Sequence, residues 1–409
     1  MSECVRRNMN IYNNEGLLPL HVAAKAGNAM ACEAMLSGGY ADLWAQAKYS
    51  GWVPLHFAAA NHQKAVIDVL LEAARKEGEW SREGRRVALP KLHDCGRQLA
   101  MDILSKDCSL TDEEFVLRAK KTFPELSYFR GRSDTTPDQS AAVALDPAEI
   151  EFRRTMGALL SVFWVCADRY DDFVRNQPPN NRLSRENWDH IQRWAKNVVK
   201  LTDPNEPDAV DAMLCFMSMH DLGKMKDFRE ELAPGYQDHD AGLSHILSKS
   251  PEVLPSYCRL PDKYQLLIET SLKVDFNFGQ YLQAENLPAN IKNVKSLLGN
   301  KGDDALAFYL FHIFADMAGI MGAKSLDGSL FMTETMFNNF KKGLATLQLL
   351  THESMNDTYD AFLKLRGEEQ GLKFETPTDR AIIRLACCSR VFDKEGGRAV
   401  LDAWNQLEP

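Results

Sequence analysis

The stretch Gly16-Leu17-Leu18-Pro19-Leu20-His21-Val22-Ala23-Ala24 returns 35 residues later as Gly51-Trp52-Val53-Pro54-Leu55-His56-Phe57-Ala58-Ala59. A repeat of this length confines the N-terminal part of the chain to stacked supersecondary units, because one unit alone cannot bury its apolar face. Each copy runs on into a second apolar stretch, 29–36 and 65–71, which supplies the other half of a helical hairpin. His21 and His56 occupy the same point of each copy and read as structural residues that tie neighbouring turns together. A third, degenerate copy is expected over 89–104, since about three units are needed for a continuous core.

The repeated Pro-Leu-His-x-Ala-Ala resembles the signature of ankyrin repeats, whose period is about 33 residues. The resemblance implies a short helical solenoid over 1–110 that grips a protein partner by shape and carries no chemistry. Residues 111–147 read as a connecting helix and linker, with the polar, turn-forming run 134–146 as the domain boundary. Beyond it, apolar stripes at helical spacing cover 156–173, 188–201, 210–219, 264–274, 305–321 and 336–350. Prolines fall between the stripes, so 148–409 is expected to be an all-α domain and the whole chain all-α.

At 409 residues and 45% apolar composition the chain can build two cores. It shows no signal peptide, and no uninterrupted apolar run approaches the roughly 18 residues of a membrane span. Nine cysteines without framework spacing point to free thiols and a cytoplasmic address. The net charge of -9 argues against general nucleic-acid binding. Gly319-Ile320-Met321-Gly322 lacks the lysine and hydroxyl ending of a phosphate loop and reads as close helix packing.

Chemistry concentrates at His220-Asp221-Leu222-Gly223-Lys224, which follows an apolar helix directly. An imidazole and a carboxylate side by side can serve one divalent ion. The dipeptide alone is weak: composition gives about 0.6 His-Asp pairs by chance, and His93-Asp94 and His239-Asp240 are two more. Context sets the first apart, because Gly223 and Lys224 follow it and other histidines and aspartates lie at suitable separations.

This stretch resembles the motif of the HD-domain superfamily of metal-dependent phosphohydrolases, over roughly 148–350. Carried over residue by residue, the resemblance makes His190, His220, Asp221 and Asp316 the metal ligands, with open positions left for water and substrate. His239 matches the helix start that supplies a second-metal ligand or a general acid, whereas His245, six residues on, turns to another face. Asp221 and Lys224 join His239 as catalytic residues, the lysine holding a phosphoryl oxygen. Where two-metal branches have further histidines, this chain reads Val274-Asp275-Phe276-Asn277-Phe278.

The implied activity is hydrolysis of a nucleotide or other small phosphoester with a divalent ion (Mn, Fe, Zn or Mg) as cofactor. Two alternatives stand beside it: an HD-type di-iron oxygenase, and a catalytically inactive ankyrin/HD interaction scaffold. Ankyrin repeats joined to an enzyme domain also resemble secreted effectors that intracellular bacteria deliver into a host cytosol.

Overall fold

The computed structural model describes residues 11–48, 52–61, 63–76, 90–129, 146–274, 276–284, 288–298 and 302–407. The architecture is all-helical, with no strand among the described residues. The run 134–146 read as a domain boundary lies outside them, apart from Asp146.

Two helical hairpins open the chain. Helix α1 (Pro19–Lys25) and α2 (Ala29–Ser37) form the first, α3 (Pro54–Ala60) and α4 (Lys64–Lys76) the second. Pro19 and Pro54 sit in the first turn, where the missing N–H costs nothing. His21 Nδ1 accepts from Leu18 N at 3.0 Å and Nε2 donates to Ala45 O at 2.8 Å, tying one turn to the next loop. His56 Nδ1 accepts from Val53 N at 3.0 Å in the same manner. Helix α1 packs on α3 and α2 on α4, which is the stacking the repeat demands.

Residues 89–104, expected to hold a third repeat, contribute helix α5 (Pro90–Ile103), followed by α6 (Asp112–Thr122) and a 3-10 helix, Pro124–Phe129. These do not lie apart as a connector. Helix α5 packs on α9 (Pro207–Met219), and α6 and the 3-10 helix pack on α7 (Pro147–Cys166). A buried ion pair of Asp211 with Arg259 lies against Gly96 of α5, where a Cβ would sit 2.1 Å from the guanidinium. Buried Glu125 accepts from Ser256 N and Oγ at 2.7 and 2.8 Å. Helix α3 also touches Pro124–Phe129, so the repeats seat directly on the larger domain.

The remaining helices of seven residues or more are α8 (Arg185–Trp194), α10 (Lys226–Leu232), α11 (His239–Lys249), α12 (Asp262–Ser271), α13 (Pro288–Leu298), α14 (Gly302–Gly319), α15 (Glu334–Leu347), α16 (Met355–Gln370), α17 (Pro377–Cys388) and α18 (Lys394–Asn405). The centre is a trio: α7 lies along α14, and α9 packs on both. Closeness at the α7–α14 crossing comes from glycine. A Cβ on Gly319 would lie 2.3 Å from Ala158 N, and one on Gly322 2.2 Å from Arg153 O. Helices α15 to α18 pack one on the next beyond this centre.

Candidate metal centre

Every residue of α9 is buried except Asp208, and the helix drives its C-terminus into the trio. His220 caps it, and Asp221 follows at φ -94°, ψ 0° before a single 3-10 turn, Leu222–Lys224. Helix α14 brings Asp316 from the opposite side. His220 Nε2 then lies 3.3 Å from Asp316 Oδ1 and 3.5 Å from Asp221 Oδ2, and one donor atom from each of the three residues falls within 4.8 Å of the others. Donors about 2.1 Å from one ion stand roughly 3.0–3.4 Å apart, so His220 lies close to that spacing from both carboxylates.

The protonation pattern points the same way. His220 Nδ1 lies 2.9 Å from Met217 O, which only accepts, so the ring hydrogen sits on Nδ1 and the Nε2 lone pair faces the two carboxylates. Three acceptors facing one another require a cation among them. Without a metal that cation is a second proton on His220: burial opposes the charged ring, but Asp221 and Asp316 outweigh it and raise its pKa to about 9. Burial likewise opposes the Asp221 and Asp316 carboxylates, yet His220 and Lys224 hold both below the usual range. Asp221 Oδ2 is buried and makes no hydrogen bond.

Lys224 donates to Asp221 Oδ1 at 2.6 Å and reaches Glu151 Oε2 of α7 at 3.5 Å. Glu151 is held in turn by Arg154 at 3.0 Å. Burial works against the charged lysine, but these carboxylates raise its pKa all the same. Lys224 is therefore bound into the network as well as close to the centre.

His190 and His239 are not brought into the group. His190 sits on α8 facing Phe337 of α15, ring centroids 6.0 Å apart, and burial followed by the charges of Lys341 and Arg193 lowers its pKa. The first-ligand position that the resemblance gave to His190 is therefore not part of the donor group, which consists of His220, Asp221 and Asp316. His239 begins α11, and its backbone abuts Gly223, where a Cβ would meet His239 O at 2.0 Å. Its ring turns toward Asp240, with Nε2 3.5 Å from Oδ1, beside the motif but outside the donor cluster. Asp240 is raised by burial and lies within electrostatic reach of His220 and Asp221.

Two residues near the centre had no role in the sequence reading. Glu151 carries no local signal, since its importance depends on α7 crossing the motif. His312 does carry one: it stands four residues before Asp316 on the same apolar helix. Its ring stacks on Phe216 at 4.3 Å and meets His220 edge-on at 5.3 Å. A cavity of about 1160 Å³ runs along α11 nearby, lined by Asp240, Ser244, His245, Glu269 and Lys273 together with Tyr236, which stacks against His245 at 4.7 Å.

A family described as of unknown function, DUF6829, matches residues 127–409. The chain belongs to DUF6829. Ankyrin repeats match residues 2–78, which covers both hairpins and supports a protein-interaction role for that segment. No curated protein and no solved structure matches the chain. The DUF6829 domain thus contains the whole of the His220, Asp221, Asp316 cluster, together with Glu151, Lys224 and His312. No helix among the described residues is long and apolar enough to cross a membrane.

Proposed function

We propose that the DUF6829 domain of this chain is an HD-type, metal-dependent phosphoester hydrolase whose ion is held by His220, Asp221 and Asp316. One observation supports the reading: three acceptor atoms from the end of α9 and from α14, distant in sequence, come within 4.8 Å of one another, one of them buried without a hydrogen bond. The donor set suits a divalent Mn, Fe, Zn or Mg ion. Once bound, such an ion supplies Lewis-acid activation of water and of a phosphoryl oxygen near neutral pH.

The chain's own residues do the rest. Lys224, paired with Asp221 and Glu151 beside the centre, supplies a cation that can meet an anionic phosphoryl group. His239, about one-third exposed at the start of α11, delivers a proton to the departing oxygen. The cavity beside α11 receives the non-reacting part of a nucleotide or another small phosphoester. The ankyrin repeats recruit a protein partner.

The scaffold reading draws on a different fact: protonated His220, Lys224 and Arg154 already balance Asp221, Asp316 and Glu151, so the network is closed without an ion. The di-iron alternative needs about six protein ligands, twice the size of the cluster. The deciding experiment is plasma mass spectrometry of the full chain purified without chelator, paired with hydrolysis of bis(p-nitrophenyl) phosphate in Mn2+. Near-stoichiometric metal and turnover, both lost in Asp221→Ala, support the hydrolase. Failure to take up manganese, iron, zinc or magnesium replaces it with the scaffold.

A further inference from the structure

We propose that His312 is the fourth protein ligand of the metal centre, the role that resemblance assigned to His190. The inference rests on the metal-centre reading above and specifies how that centre is completed.

His312 is half-buried as a residue, but both of its ring nitrogens are buried and neither has a hydrogen-bond partner among the described residues. Leaving a buried polar group unsatisfied costs about 1–3 kcal/mol, and a helix this apolar could hold leucine or phenylalanine there at no such cost. The unsatisfied ring stands next to the donor cluster. It meets His220 edge-on at 5.3 Å and stands one helical turn from Asp316. Residues four apart on a helix share a face, which is how paired helical histidines chelate zinc. The backbone of α14 therefore holds His312 and Asp316 on one face; the ring lies outside the three donors within 4.8 Å of one another and turns about its side-chain torsions to join them.

Chemistry favours the addition. With His220, Asp221 and Asp316 alone the set has one nitrogen and two carboxylates; His312 makes it two imidazoles and two carboxylates, better suited to Mn, Fe or Zn than to Mg. Four protein ligands still leave room for water and substrate on a five- or six-coordinate ion. His190, beside Lys341 and Arg193, is not among the donors within 4.8 Å of one another.

The test counts coordinated imidazoles. The full chain, labelled with 15N-histidine and loaded with Mn2+, is read by pulsed EPR, with Co2+ affinity measured in parallel. Two histidine nitrogens are expected in the unmodified protein and in His190→Gln, and one in His312→Gln, whose Co2+ binding falls by at least about tenfold. The count on the unmodified protein needs no variant to fold. One nitrogen there, or loss of a coupling in His190→Gln instead, overturns the assignment while leaving the metal centre standing. Absence of any bound Mn2+ or Co2+ overturns both.

Discussion

Asp221 faces two cations at once. Its Oδ1 takes the Lys224 ammonium, while Oδ2 is left toward His220 and Asp316. The two oxygens separate two roles that substitution can resolve. Lys224→Met is expected to keep its metal and lose about 10²–10³ in turnover, the usual effect of removing one positioned charge from a transition state. Metal analysis and initial rates on the same preparation check this; a variant that loses metal as well marks the lysine as structural. A second prediction concerns His56, buried and lowered to about 3, first by desolvation and then by His21. Its folded pKa lies below the unfolded value of about 6.5, so its stabilising contribution is present above that pH and is lost as pH falls from there toward 3. Hydrogen exchange corrected for intrinsic rates should show the repeats loosening by roughly 1.4 kcal/mol per pH unit in that window. His56→Gln should flatten the slope.

Among the helices, the α7–α14 crossing decides whether a centre exists. Glu151 and Arg154 come from α7, and His312 and Asp316 from α14; glycine lets the backbones approach. Gly319→Val forces them apart against Ala158 and should cost about 1–3 kcal/mol. Because the ligands ride on these helices, thermal unfolding and Co2+ affinity should fall together. A stability loss with unchanged affinity would mean that the crossing does not set ligand geometry. The close approach at Gly319 and Gly322 was legible in the sequence as packing. The one at Gly223, against the start of α11, was not, because a lone glycine after a helix reads as an ordinary terminator.

Across the whole molecule, residues 90–129 bind the repeats to the DUF6829 domain through Gly96, Glu125 and the Asp211–Arg259 pair. A chain starting at residue 146 would strip these contacts and leave the Asp211–Arg259 pair exposed along α9. It should be recovered without cooperative unfolding, whereas a chain starting at 88 should melt in one transition with near-ultraviolet dichroism intact. Equal behaviour of the two would make 90–129 a dispensable connector.

What the sequence determined by itself is local. The 35-residue repeat, the helical stripes and the apolar helix leading into His220-Asp221 are patterns of spacing, and short-range sterics and burial turn spacing into helices and stacked hairpins. Tertiary structure decided which of the distant residues meet. Asp316 arrives at His220 because α14 crosses α7 and α9, Glu151 arrives with α7, and His190 faces Phe337 because α8 packs on α15. Those crossings depend on side-chain volumes and on glycine contacts summed over whole helices, and no single stretch of chain encodes them.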